Sequence, residues 1–150
     1  MAKLLVVYHS RTGNTEEMAK AVSEGAVSSG ATVNLKNVAD ATGDDLLICD
    51  AVVFGTPTNF RYMAGVMKEF FDKIWLTIGD QPANKPYCAF TSKGSGEEHA
   101  LDSIDMICGA FNRRKQLKFT KVLEGIVATR RPTPEVLAEC RELGRRMAQL

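Results

Sequence analysis

Residues that build metal sites and disulfide frameworks are scarce in this chain of 150 residues. It has two histidines and four cysteines, and no two cysteines form a C-x-x-C pair. These absences argue against a multi-histidine metal site, a zinc ribbon and a dithiol redox centre, so no metal site is predicted. We interpret the four cysteines as small apolar core residues in a reducing compartment.

Long apolar runs and a strong excess of one charge are also missing. Runs such as Leu4–Tyr8 and Leu46–Cys49 are far shorter than the roughly 20 residues that span a bilayer. The 19 basic residues are balanced by 18 acidic ones, whereas a nucleic-acid-binding protein usually has a clearer basic excess. We therefore expect a cytoplasmic protein with no signal peptide, no membrane span and no nucleic-acid partner.

Hydrophobic periodicity alternates between strand and helix patterns along the chain. Continuous apolar segments are typical of parallel strands buried on both faces, and apolar residues spaced four apart indicate helices. The predicted strands are Lys3–Tyr8, Ala31–Val38, Ala51–Thr56, Pro86–Ser92 and Val122–Ala128. The predicted helices are Asn14–Ser29, Met63–Trp75, Glu97–Phe111 and Pro134–Met147, and Asp44–Ile48 is predicted as a short helix or a turn. This order predicts a single α/β domain over residues 1–150, a doubly wound, five-stranded parallel sheet with helices on both faces.

The loops after the first, third and fourth strands form the candidate site, because doubly wound sheets bind ligands at the carboxyl ends of their strands. The first of these loops leads directly into a helix, whose amino end suits an anion. It contains three hydroxyls, a glycine and an asparagine: Ser10-Arg11-Thr12-Gly13-Asn14-Thr15. An ordinary helix cap needs only one such residue. We therefore predict that this loop binds a phosphate.

Other phosphate-binding patterns are absent. The chain has no G-x-x-x-x-G-K-[ST], no G-x-G-x-x-G after the first strand and no cysteine in the first loop. These absences exclude P-loop nucleotide binding, Rossmann dinucleotide binding and a cysteine-based phosphatase. A phospho-accepting receiver domain needs an aspartate at the end of the third strand, where this chain has Thr56.

Three segments together resemble a known family. Ser10–Thr15 matches the [TS]-x-T-G-x-T phosphate loop of flavodoxins, which bind FMN. Thr56–Phe60 resembles the G-T-P-T-x-F loop of the NAD(P)H:quinone oxidoreductases related to the tryptophan-repressor-binding protein, and Ser92–Gly96 resembles the third FMN loop of that group. The resemblance spans the whole chain, whose length fits the short flavodoxin form. It implies a flavodoxin-like fold with strand order 2-1-3-4-5, FMN as cofactor and NAD(P)H as an electron donor.

The resemblance also implies which residues contact FMN. The phosphate would lie on the first loop, and the ring would lie between the second and third loops. Arg11 could pair with the phosphate or point into solvent, and Lys93 could favour an anionic reduced flavin or be a solvated charge. Phe60 and Tyr62 could line the ring or pack in the core under the third helix. The predicted cofactor-binding residues are Ser10, Arg11, Thr12, Gly13, Asn14, Thr15, Thr56, Pro57, Thr58, Asn59, Phe60, Ser92, Lys93, Gly94, Ser95 and Gly96.

Three functions are compatible with this resemblance. The first is an oxidoreductase that passes electrons from NAD(P)H through FMN to a quinone or similar acceptor. The second is a one-electron carrier, and the third is an interaction module with a vestigial site. Carrier flavodoxins are typically strongly acidic and often have a flexible glycine beside the aromatic of the second loop. This chain has a net charge of +1 and no glycine in Thr58-Asn59-Phe60-Arg61-Tyr62, which favours the oxidoreductase.

Substrate and partner contacts are predicted around the second loop. The related quinone reductases usually have a glycine at the position of Arg61, whose charge could contact a nicotinamide-nucleotide phosphate. Arg61 and Tyr62 are therefore candidate substrate-binding residues. No catalytic residue is assigned firmly because FMN carries the chemistry, and His99 is either a proton donor to a quinone or a surface histidine. The predicted partners are a small-molecule electron acceptor or a redox protein, with a homodimer as a possible assembly.

Overall fold

A computed structural model describes residues 2–150, in which strands and helices alternate along the chain. The strands are β1 (Lys3–Tyr8), β2 (Thr32–Asn37), β3 (Ala51–Asn59), β4 (Tyr62–Met63), β5 (Ala83–Lys93), β6 (Leu117–Lys121) and β7 (Ile126–Thr129). The helices are α1 (Asn14–Ser28), α2 (Gly43–Ile48), α3 (Gly65–Thr77), α4 (Ala100–Arg114) and α5 (Pro134–Ala148). None of these helices is both long and apolar enough to cross a membrane.

The sheet has the predicted doubly wound order. Its main path is β2-β1-β3-β5-β6, and all neighbours on this path are parallel. The chain moves from β1 to β2 on one side and then returns to β3 on the other side, so the strand order reverses between β1 and β3. The carboxyl ends of β1, β3 and β5 therefore lie next to one another at the centre of the sheet.

The predicted count of five strands is wrong, because the described residues form seven. β5 is 11 residues long and has two successive neighbours: β6 pairs with its first half and β7 with its last four residues. The predicted strand Val122–Ala128 starts too early, because residues 122–125 lie outside the sheet between β6 and β7. A β-carbon on Gly125 would lie 2.6 Å from the Leu101 side chain, so the chain passes close to α4 at this point. The seventh strand, β4, forms an antiparallel hairpin with β3.

Two predicted helix starts are also too early. Met63 lies in β4, and α3 begins two residues later at Gly65. Glu97 lies in the loop before α4, which begins at Ala100. Both differences lengthen the loops that follow β3 and β5.

Two apolar layers cover the two faces of the sheet. One contains Val6, Val53 and Phe90 with residues of α1 and α5, and the other contains Val7, Phe54 and residues of α3 and α4. The four cysteines are free and buried within these layers. Burial raises the pKa of the Cys49 thiol to about 11 and that of Cys140 to about 12, so these thiols stay protonated at neutral pH.

Helices α1 and α5 touch through their backbones. A β-carbon on Gly25 in α1 would overlap the carbonyl of Arg141 in α5, and one on Gly144 in α5 would overlap the carbonyl of Val22 in α1. Glycine is therefore required on both helices at this crossing. The contact fixes the position of α1 and hence of the loop at its amino end.

Candidate functional site

The three predicted loops enclose one cavity at the carboxyl ends of β1, β3 and β5. Its volume is about 290 Å³. Each loop contributes residues to its lining, and ten of the sixteen predicted cofactor-binding residues belong to it. The lining consists of Arg11, Thr12, Asn14, Thr15, Pro57, Thr58, Asn59, Ser92, Lys93 and Gly94, together with Arg130. Ser10, Gly13, Thr56, Phe60, Ser95 and Gly96 are not part of this lining.

Hydroxyl groups connect the loops to one another. The Thr15 and Ser92 hydroxyls share a buried hydrogen bond of 2.7 Å, which joins the first loop to the third. The Thr58 and Thr91 hydroxyls share another of 2.8 Å, which joins the second loop to β5. These bonds hold the loops that form the cavity walls in fixed positions relative to one another. They also mean that Thr15 contributes to the packing of the loops in addition to lining the cavity.

The first loop presents an uncapped helix start. Gly13 has a φ of +99°, a conformation that glycine adopts without strain, and its N–H donates to Ser10 Oγ over 3.1 Å. The cap residue of α1 forms no side-chain hydrogen bond, as in α3 and α4, whereas threonine side chains cap α2 and α5. The side chains of Thr12 and Asn14 form no hydrogen bond with residues 2–150. The partial positive charge of the helix end and these free polar groups together suit an anion.

In the second loop, Thr56 shapes the backbone. Its buried hydroxyl accepts a hydrogen bond of 2.9 Å from the Ala64 N–H and donates one of 2.9 Å to the Pro57 carbonyl. Both hydrogen-bonding directions of the hydroxyl are therefore used within the protein. The threonine connects the end of β3 to the start of α3.

The tip of the second loop is a two-residue hairpin turn. Phe60 and Arg61 connect the paired residues Asn59 and Tyr62, and their φ values are +50° and +69°. Such turns normally use glycine, asparagine or aspartate, because a β-carbon is unfavourable in this region. Two consecutive non-glycine residues there represent local backbone strain, which is often found at functional sites.

Phe60 and Tyr62 do not pack in the core under α3. The Phe60 side chain is fully exposed, at 101% of its reference area, and Tyr62 is 39% exposed. The core-packing alternative is therefore wrong for both residues. An exposed aromatic ring on a strained hairpin is available to contact a flat ligand at this end of the site.

A cluster of one arginine, one glutamate and one histidine joins the hairpin to the segment that follows the third loop. The His99 N–H donates to the Arg61 carbonyl over 2.9 Å, and Glu97 Oε2 lies 3.8 Å from Arg61 Nη1 and 3.2 Å from His99 Nε2. Glu97 first, and then Asp102, raise the pKa of His99. His99 is half-exposed and is not in the cavity lining, and its backbone anchors the hairpin.

Arg130 is a cavity-lining residue that the sequence did not predict. It follows β7, lines the cavity and has a φ of +61°. Its N–H donates to the Lys93 carbonyl over 2.7 Å, which ties it to the third loop. The strand order could have indicated this residue, because the loop after the last parallel strand lies at the same edge of the sheet as the other three loops.

A larger cavity lies elsewhere in the fold. It has a volume of about 560 Å³ and lies between residues 121–126 and α5, with both acidic and basic residues in its lining. It is not at the point where the strand order reverses, and none of the predicted site residues lines it. We therefore take the smaller cavity as the candidate site. No group of three or more His, Cys, Asp or Glu within residues 2–150 is arranged to hold a metal ion.

Comparison with known proteins places this arrangement in a family. Residues 5–131 match the flavodoxin domain, and the chain belongs to this family. A flavodoxin of Aquifex aeolicus is 38% identical, with 99% of this chain and 86% of that protein covered. An NAD(P)H dehydrogenase (quinone) of Archaeoglobus fulgidus is 30% identical, with 100% and 97% covered. The structure of a flavodoxin from the domain Archaea superposes with a TM-score of 0.79 at 26% identity, covering 98% of this chain and 96% of that one.

Family membership confirms the predicted flavodoxin-like fold class and FMN as the cofactor. The cavity fits this group. Its lining contains three cationic residues, Arg11, Lys93 and Arg130, and no acidic residue. Free hydroxyl and amide groups lie beside the uncapped start of α1, where a phosphate monoester would be stabilised.

Proposed function

We propose that this chain is an FMN-dependent oxidoreductase that takes electrons from NAD(P)H and passes them to a quinone or a similar small acceptor. In this proposal residues 1–150 act as one FMN-binding domain. The cavity between the three loops is the observation that carries the proposal. It combines an uncapped helix start, unpaired polar side chains and a cationic lining at the reversal of strand order.

The phosphate end of FMN is assigned to the first loop. The Thr12 hydroxyl, the Asn14 amide and the backbone at the start of α1 would donate to the phosphate oxygens, and the Arg11 guanidinium would add charge. Hydrogen bonds to charged groups are worth about 1.5–3 kcal/mol each. Ser92 holds Thr15 in place rather than acting alone on the ligand.

The ring end is assigned to the second and third loops. Bound FMN would supply the redox centre that accepts hydride from the nicotinamide and delivers electrons to the acceptor. The exposed Phe60 ring offers one apolar surface beside this end. Arg61 is 68% exposed, and a phosphate of the nicotinamide nucleotide would compete with Glu97, 3.8 Å away, for its guanidinium group. The name of the Archaeoglobus fulgidus relative supports NAD(P)H and a quinone as the substrates.

A one-electron carrier is the second candidate function. The alignment with the quinone dehydrogenase extends over 188 positions, so that relative has residues without a counterpart in this chain of 150. The alignment with the Aquifex aeolicus flavodoxin extends over only 161 positions at higher identity, and this closer agreement in length supports the carrier. The balanced charge of this chain and the glycine-free hairpin favour the oxidoreductase.

FMN binding is tested by titrating the apoprotein with FMN and with riboflavin and following flavin fluorescence. We expect a Kd for FMN at or below micromolar. Thr12→Val removes a hydroxyl that has no partner within the described residues, so it should weaken FMN by about 10-fold or more and change riboflavin binding little. Absence of FMN binding up to about 100 μM, a free energy weaker than roughly −5.5 kcal/mol, would reject the proposal.

Anaerobic reduction with NADH or NADPH separates the enzyme from the carrier. We expect the bound flavin to be bleached by one of the two donors. Arg61→Asn removes the charge and tolerates a positive φ, so it should raise KM for the nucleotide by about 10-fold while FMN affinity stays unchanged. Arg61→Lys is the matched control that keeps the charge. A flavin that dithionite reduces but neither nucleotide reduces would favour the carrier.

A homodimer and a cytoplasmic location are also proposed. Leu76 on α3 and Met106 on α4 are exposed apolar residues that support self-association, and the four free cysteines support a reducing compartment. Sedimentation velocity over a range of protein concentrations tests the dimer. A single monomeric species throughout would remove it.

A further inference from the structure

The charge of the cavity exceeds what the first loop alone provides. Arg11 comes from the first loop, Lys93 from the third and Arg130 from the loop after β7, and no carboxylate lines the same space. The whole chain has a net charge of only +1, so this concentration of positive charge is local.

The three cations are not equivalent. Lys93 Nζ donates to the Gly96 carbonyl over 3.1 Å, so part of its hydrogen-bonding capacity is used within the third loop. The side chains of Arg11 and Arg130 form no hydrogen bond or ion pair with residues 2–150. The neighbouring Arg131 differs from both, because its Nε lies 3.7 Å from the Glu17 carboxylate and it does not line the cavity.

The backbone at Arg130 is held in an unfavourable conformation. Its φ of +61° is unfavourable for a residue with a β-carbon, and the 2.7 Å hydrogen bond from its N–H to the Lys93 carbonyl secures it there. The pairing of β7 with β5 ends one residue earlier, at Thr129 and Lys93. An arginine is thereby fixed at the rim of the cavity, at a position where asparagine or glycine would be less strained.

We propose that Arg130 is a phosphate-binding residue that, with Arg11, makes this site select FMN over riboflavin. The inference rests on the proposed FMN function and deepens it. A phosphate monoester carries a charge between about −1.5 and −2 at neutral pH. Two guanidinium groups from different loops of one cavity match that charge, and guanidinium groups bind phosphate oxygens in a fork-like geometry.

The test compares FMN and riboflavin affinities in variants of the full chain by fluorescence titration. Arg130→Asn removes the charge and keeps a residue that tolerates positive φ. We expect it to raise the Kd for FMN by about 10-fold or more and the Kd for riboflavin by less than twofold. Arg130→Lys keeps the charge but not the fork-like geometry, so it should raise the Kd for FMN by less than Arg130→Asn does. Arg131→Asn is the matched control and should leave both affinities unchanged.

A second readout is the salt dependence of FMN binding. The wild-type Kd should rise steeply between low and physiological ionic strength, and Arg130→Asn should show a shallower rise. Equal losses for the two flavins, or an unchanged FMN affinity with the unliganded melting temperature intact, would overturn the inference. A wild-type protein that binds neither flavin would instead overturn the proposed function itself.

Discussion

The backbone contact between α1 and α5 predicts that Gly144→Ala destabilises the protein. Alanine is normally favoured over glycine inside a helix by about 1 kcal/mol. Here the new methyl group would overlap the Val22 carbonyl, and it would also lie 2.9 Å from the Ala26 nitrogen. The helices would have to separate by more than about 1 Å to restore normal contact distances of about 3.5 Å.

The overlap should outweigh the helix propensity. Overpacking typically costs about 1–3 kcal/mol, and the cost should lie at or above the upper end here because the obstacle is backbone rather than a flexible side chain. We therefore expect a net loss of about 2 kcal/mol in the free energy of unfolding. For a chain of this length, that corresponds to a fall of about 4–8 °C in Tm.

The assay is urea unfolding of the apoprotein, with Gly109→Ala as the matched control. Gly109 lies inside α4, and the nearest atom to an added β-carbon is the end of the Arg113 side chain at 3.4 Å. Gly109→Ala should therefore increase the free energy of unfolding by up to about 1 kcal/mol. If Gly144→Ala gained as much as Gly109→Ala at an unchanged m value, the backbone contact between α1 and α5 would be refuted.

Two further predictions concern a buried lysine and a surface histidine. Lys85→Met should cost about 2 kcal/mol in the free energy of urea unfolding, because the buried Lys85 ammonium donates to the Leu47 and Cys49 carbonyls at the end of α2, which would lose their partner. Lys73→Met, on an exposed face of α3, should be neutral. NMR titration should give His99 a pKa above its ordinary value, owing to Glu97 and then Asp102, and Glu97→Gln should lower it. Because the pKa of His99 is higher in the folded than in the unfolded protein, its small stabilisation is complete below the unfolded-state pKa and is lost as the pH rises through the folded-state pKa. A pKa of His99 that Glu97→Gln leaves unchanged would contradict the pairing.

The fold was predictable wherever a strand is buried on both faces. β1 and the centre of β3 are continuous apolar runs, and both occur as predicted. β6 differs from these strands because Lys118 and Thr120 alternate with its apolar residues, so it lacks the continuous apolar run on which the other strands were predicted. β6 and β7 are separate strands because β5 is long enough to pair with both in succession. That length is a property of the neighbouring strand and not of the sequence of β6 or β7.

The candidate site was predictable from its loops but not from its details. Polar and small residues at the ends of three strands pointed to the cavity. The hairpin at Phe60 and Arg61 was missed because neither residue is a typical turn former, so tertiary contacts impose its conformation. Arg130 was missed because its role depends on a positive φ and on a hydrogen bond to Lys93, neither of which leaves a mark in the local sequence.

The α1–α5 contact has a consequence for protein synthesis. The first loop and α1 leave the ribosome well before α5, the helix that touches α1 through Gly144. The nascent chain must therefore hold α1 without its α5 contact until α5 has been translated. Parallel sheets already fold through distant contacts, and this late helix adds another. Consolidation of the loop at the start of α1 is thus expected only after α5 has been made and has packed against α1.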